Sequence, residues 1–134
     1  VLIKRQVLVK SFITDDLKKD LIERFNKLIE LSEKRISEIV SEEKKLLLTA
    51  PTLEPQYLQA VKNKMKEQRE EEERIKENLI KERDNIKLLK DGDLYFHGAV
   101  EGYVDVKEGD DFWKKLQEAE IILKDGKVLE IKNE

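Results

Sequence analysis

Cysteine is absent from the chain, which excludes disulfide frameworks, thiolate metal sites and cysteine nucleophiles and fits a reducing compartment. Aromatic residues make up only 6% of the chain while charged residues make up 43%, a balance that suits long solvated helices better than a thick globular core. The core is therefore expected to be thin. Apolar runs stop at three or four residues, and Val1-Leu2-Ile3 is followed at once by Lys4-Arg5. Neither a membrane span nor a signal peptide is read here, so the expectation is a soluble, cytoplasmic protein with no membrane partner. Proline occurs only as Pro51 and Pro55, and the first glycine is Gly92.

What is present is charge, unevenly spread. The net charge is −3, composed of +3 over residues 1–13, zero over 14–90 and −6 over 91–134. A negative total disfavours generic binding to phosphate backbones, which depends on clustered Lys and Arg displacing counterions. A basic start and an acidic end can instead attract one another within one body, or attract a partner.

Residues 1–13 alternate, with Arg5, Val7 and Val9 on one side and Gln6, Leu8 and Lys10 on the other, and carry the β-branched enrichment of a strand. Thr14-Asp15-Asp16 then supplies side-chain acceptors for the free amides of a helix start, with negative charge at the positive end of the dipole. From there Ile22, Phe25, Ile29, Ser32, Ile36, Ile39, Glu43 and Leu46 recur at spacings of three and four, the seam along which helices wind together. The segment 49–55 holds both prolines and predicts a reversal, Pro55 suiting the first turn of a second helix. That helix repeats the pattern with Leu58, Val61, Met65, Gln68, Glu72, Ile75, Leu79, Glu82, Ile86 and Leu89. Two helices of roughly 33 residues, at ~1.5 Å per residue, predict an arm of about 50 Å.

Folding the chain about Thr52 sets Phe25 beside Leu79, Ile29 beside Ile75, Ile39 beside Met65 and Leu46 beside Leu58. The same register sets Ser32 beside Glu72 and Ile36 beside Gln68, with Arg35 nearby, so polar interruptions meet at one level. Such a layer can fix register at a cost in stability. Leu17, Leu21, Leu28 and Leu31 on the first helix, with Ile80 and Leu88 on the second, lie beside the seam. One partner helix cannot cover them all; packing on the body and self-association are the two readings.

After Asp91-Gly92-Asp93 the pattern turns to short strands, 94–96, 102–106, 121–123 and 128–131, with a helix over 112–119 capped by Asp110-Asp111. Lys124-Asp125-Gly126-Lys127 is a tight-turn signal. The fold class expected is α+β: a long antiparallel two-helix coiled-coil hairpin (14–90), and a small β-sheet or barrel-like body of four or five strands built from residues 1–13 and 91–134.

The closing stretch, Val100-Glu101-Gly102-Tyr103-Val104-Asp105-Val106-Lys107-Glu108-Gly109-Asp110 and then Glu120-Ile121-Ile122-Leu123-Lys124-Asp125-Gly126-Lys127-Val128-Leu129-Glu130-Ile131, resembles the C-terminal part of the bacterial YlqD family. The order of a first strand, a charged helical hairpin and this ending is similar too. The resemblance implies no catalytic residues, since the family has no established activity. Its members are often encoded near proteins of ribosome maturation and transfer-RNA methylation, which implies a translation-related partner.

The residues offer little for catalysis. His97 is the single histidine, lies at a strand end, and is read as structural. Asp91, Asp93, Asp105, Asp110 and Asp111 are the densest carboxylates, but their spacing forms no EF-hand series and suits turns and caps. The glycines are scattered and build no phosphate loop. Trp113, with Phe112 and Leu116, is read as plugging the β core. No metal and no cofactor are expected, nor an enzyme. The leading expectation is a non-catalytic scaffold and homo-oligomer, with Leu17, Leu21, Leu28, Leu31, Ile80 and Leu88 as self-association residues. The alternatives are an RNA-binding accessory factor using Lys62, Lys64, Lys66 and Arg69 near the arm tip, and a holdase-like chaperone.

Overall fold

The computed structural model describes residues 1–134. Strand β1 (Leu2–Phe12) leads into helix α1 (Asp15–Thr49), a short 3-10 turn at Ala50–Thr52, and helix α2 (Pro55–Leu88). Strand β2 (Leu94–Asp105), the short helix α3 (Phe112–Lys115) and strands β3 (Ala119–Lys124) and β4 (Lys127–Lys132) complete the chain. It divides into two compact units, the body, residues 1–19 with 89–134, and the hairpin, residues 20–88. The class is α+β.

The body is one four-stranded mixed sheet of order β2-β1-β3-β4. β1 is central: it pairs antiparallel with β2 along its whole length and parallel with β3 from Val7 to Ser11. The sheet is open, with β2 and β4 as its edges, so the barrel-like alternative is corrected to an open sheet. The complementary charges of the two chain ends meet in it. Lys10 lies 3.0 Å from Glu120 and Lys4 3.6 Å from Glu101.

Residues 94–96 and 102–106, expected as separate strands, belong to one. β2 stays paired by inserting an extra residue, His97, between Gly98 opposite Val9 and Phe96 opposite Lys10. This bulge needs Gly98, whose φ of +133° is strained for any residue with a Cβ. The helix expected over 112–119 ends at Lys115, because Ala119 already pairs with Val7 as the first residue of β3 and is buried. The Asp125-Gly126 turn joins β3 to β4 with φ values of +49° and +81°, the left-handed pair that this type of tight turn demands.

The chain enters and leaves the hairpin at neighbouring points. Ile13 donates its amide to the Asp93 carbonyl at 2.7 Å, and Gly92 donates to the Ile13 carbonyl at 3.1 Å. Ile13 is 1% exposed there. Thr14 caps α1 by accepting from the Leu17 amide at 3.2 Å, as its side-chain oxygen should at this position.

Within the hairpin, Phe25, Ile29 and Ser32 of α1 are buried along the seam, as are Leu21 and Ile86. The Ser32 hydroxyl reaches Glu72 at the carboxylate (3.0 Å) and the carbonyl (3.2 Å). Arg35 lies 3.6 Å from the other Glu72 oxygen, so the polar layer stands at the level that reversal about Thr52 sets. Gln68 is exposed and takes no part; Arg69 instead crosses to Glu43. Lys76 with Glu33 and Arg83 with Asn26 tie the helices at two further levels.

Two predictions follow from these contacts. Replacing Ser32 with Ala should cost about 1–2 kcal/mol, since it leaves a largely buried glutamate short of a donor, whereas a paired Ser32→Ala/Glu72→Leu change should recover most of the loss; urea midpoints of the three proteins measure this, and equal midpoints for wild type and S32A would refute the layer's role. The second concerns acid. The Lys107 backbone amide donates to Asp110 at 2.9 Å, and this bond, with the nearby Lys115 and Lys107 charges, holds the carboxyl below the usual carboxylate range. A carboxyl depressed in the folded state contributes stability that is present above its unfolded pKa of about 4 and is lost as pH falls through the lower folded value. Asp110→Asn should therefore weaken the dependence of melting temperature on pH below about 4, as read by circular dichroism.

Candidate functional site

The end of the hairpin is built so that its polar backbone is satisfied internally. Thr49 donates its hydroxyl to the Leu46 carbonyl at 3.1 Å, and Thr52 donates to the Thr49 carbonyl at 2.7 Å. Leu53 donates its amide to the Ala50 carbonyl, and the Leu58 amide bonds the Glu54 carbonyl at the start of α2. With these groups turned inward, apolar side chains are left outside: Leu48 is 84% exposed, and Leu47 and Tyr57 are each 59% exposed. Sequence reasoning read Leu46 and Leu58 as seam residues here and missed their neighbours. The signal was available, because the triple Leu46-Leu47-Leu48 cannot turn all its members toward one seam.

Behind this apex Lys44 and Lys45 stand before the last turn of α1, and Lys62, Lys64 and Lys66 lie in the early turns of α2, all exposed; Glu42 and Glu43 adjoin the first two. A small cleft of about 210 Å³ opens among Leu46, Leu47 and Met65, with Lys62, Lys66, Arg69 and Glu43 at its polar side. The four proposed RNA-contact residues thus differ in availability. Lys62 and Lys64 engage no carboxylate, Lys66 lies 3.9 Å from Glu70, and Arg69 is half-buried in its pairing with Glu43.

The proposed self-association residues also separate. Leu21 is 2% exposed and so occupied within the chain, and Leu17 and Ile80 are half-buried. Leu28 and Leu31, one turn apart on α1, remain 41% and 44% exposed, and Leu88 is exposed at the end of α2.

In the body, Trp113 does not plug the core. It is 75% exposed, meeting Phe112 edge to face at 5.2 Å between ring centres. The four-residue α3 is too short to turn both aromatic rings inward while Asp111 caps it by accepting from the Lys114 amide. Two residues far apart in the chain do meet: the Ser11 hydroxyl and the His97 Nε2 lie 2.5 Å apart, and Tyr95 packs edge-on to the His97 ring. A hydroxyl beside an imidazole is the start of a nucleophile and base arrangement. Ser11 is only 4% exposed, however, and the bond fastens the bulge to the central strand. The carboxylates of 91–111 are spent on turns: Asp93 accepts from the Lys90 amide, Asp110 from Lys107, Asp111 from Lys114. No group of three or more is placed to hold a metal ion, and no helix is long and apolar enough to cross a membrane.

Comparison with solved structures finds the same fold in a protein of unknown function from Synechococcus sp. WH 8102, with a TM-score of 0.86, 19% sequence identity, and coverage of 98% of this chain and 94% of that one. At that identity the likeness concerns fold alone. No curated protein matches the chain. The family model for YlqD protein matches residues 1–132, strand, hairpin and closing sheet together, and the chain belongs to the YlqD family.

Proposed function

We propose that this chain is a non-catalytic interaction protein that associates with a second copy through the outer face of its hairpin and so works as a scaffold. The observation that carries this reading is the pair Leu28 and Leu31, 41% and 44% exposed one turn apart on α1. A two-helix hairpin has one seam, and Phe25, Ile29 and Ser32 already fill it. Leucines beside a filled seam, on a helix otherwise rich in charge, are a stripe for a further helix. A two-fold pairing of α1 with its counterpart covers the same patch on both copies, the commonest closed arrangement of soluble oligomers. A translation-related partner is part of the proposal only through the family resemblance and would occupy a different surface.

Self-association predicts a mass of twice the chain or more by light scattering at micromolar concentration. Leu28→Lys with Leu31→Lys should return it to the monomer while leaving helical content unchanged. A wild-type monomer, or an unchanged mass in the double variant, would remove this reading.

A further inference from the structure

The two flanks of the hairpin seam differ. Arg69, Lys76 and Arg83 recur every seven residues on α2 and cross to Glu43, Glu33 and Asn26, closing one flank. On the other flank only Arg35 crosses, to Glu72, and a trough opens there between Glu38 and Glu42 of α1 and Glu67 and Glu71 of α2. Helical spacings of three and four place Arg24, Leu28 and Leu31 in one stripe with Arg35 and Glu38, and Arg74 and Lys81 in one stripe with Glu67 and Glu71. The exposed leucine pair and the trough therefore share the open flank. Charge along it is ordered about one level. Arg24 and Glu38 lie seven residues to either side of Leu31, and Lys81 and Glu67 lie seven residues to either side of Arg74. The Ser32–Glu72 contact sets Leu31 and Arg74 at nearly the same height. Arg24, Glu38, Glu67 and Lys81 are all exposed, and none forms an ion pair within its own chain.

We propose that a second copy lies antiparallel against this open flank, related by a two-fold axis that crosses the arm at the level of Leu31 and Arg74. The antiparallel arrangement rests on the self-association proposed above and adds how the second copy lies. An axis of this kind stacks each helix on its own counterpart. It carries Arg24 to Glu38 of the second copy and Lys81 to Glu67 of the second copy, and each pairing occurs twice. Leu28 and Leu31 of both copies gather about the axis, where they supply the attraction. Arg74 stands at the axis already neutralised by Glu71, 2.5 Å away on its own helix. Arms pointing the same way would need an axis along the arm, which stacks α1 on α2 of the second copy at equal height. Arg24 would then oppose Lys81, and Glu38 would oppose Glu67, so both contacts repel. An unrelated basic partner would suit the trough but would meet Arg24 and Lys81 on the same flank. Exposed ion pairs add little attraction individually; here their effect is to select one orientation over the other.

The chain has no cysteine of its own, so single-cysteine variants of the full chain read the orientation directly. On mild oxidation an Arg24→Cys chain mixed with a Glu38→Cys chain should give the mixed disulfide dimer by intact mass. Neither should link to itself, because antiparallel copies hold like positions about 20 Å apart, beyond the reach of a disulfide. Charge exchange is the second measurement, made by sedimentation with helical content followed by circular dichroism. Glu38→Lys with Glu67→Lys should raise the dimer dissociation constant about tenfold, and adding Arg24→Glu with Lys81→Glu should return it to within about twofold of wild type. Self-linking of the Arg24→Cys chain overturns antiparallel docking and leaves self-association standing. So does a dimer that Leu28→Lys with Leu31→Lys disperses but that is indifferent to both charge variants. A wild-type chain that is monomeric at every concentration removes self-association and the antiparallel arrangement together.

Discussion

The two hydrogen bonds between Ile13 and the Gly92-Asp93 turn govern everything that lies between them. β1 must pair with β2 in a fixed register from Leu2 opposite Asp105 to Phe12 opposite Leu94, so the intervening residues have to leave and return to adjacent points. Two helices joined by a short turn satisfy this only when nearly equal in length, and α1 and α2 have 35 and 34 residues. A shift of the hairpin by one heptad would misplace the start of β2 and flip or break its pairing. The Ser32–Glu72 layer serves the same end from within, because an apolar seam alone tolerates sliding while the Glu72 carboxylate meets Ser32 and Arg35 in one register only.

The body shows how few buried residues such a clasp requires. Across the whole chain eight apolar residues are buried, four of them in the body, and the central strand is held as much by its neighbours as by a core. β1 spends its backbone on both sides, and its cations Lys4 and Lys10 reach carboxylates of β2 and β3. At these exposures such pairs contribute little individually; their role is to agree with one register. The Ser11–His97 contact acts in the same sense on the bulge, tying the extra residue of β2 to the strand it skips.

The helical part was legible because its information is local. Spacings of three and four along Phe25, Ile29 and Ser32, read with Pro51 and Pro55 as breakers, determined both helices and the level of the polar layer, and Asp125-Gly126 announced its own turn. The sheet was less legible because its order is not local. Nothing near Val7 reveals that Ala119 is its parallel neighbour, and that pairing is what cuts α3 short and leaves Trp113 outside. Gly98 reads equally as a strand end or as the left-handed residue of a bulge, and only pairing across Val9 and Lys10 decides between them. Of the candidate surfaces, the leucines beside the seam were visible in the sequence, but Leu21 was not separable from Leu28 until burial was known.

The exposed apex has a different standing from the exposed strand residues, because the fold does not need it. The turn is closed by Thr49, Thr52 and the backbone of Ala50, Leu53 and Glu54, and polar residues at 47, 48 and 57 would close it equally well. Leu46 and Leu58 are half-buried near the end of the seam, while Leu47, Leu48 and Tyr57 lie largely in water. Single exposed apolar residues are ordinary on any protein surface, and those at the turn lie among charges of both signs. The clasp at the other end requires the two helices to match in length and the seam sets their register, and neither constrains what the apex presents. Substitution at the apex can therefore change what the surface presents without altering the core.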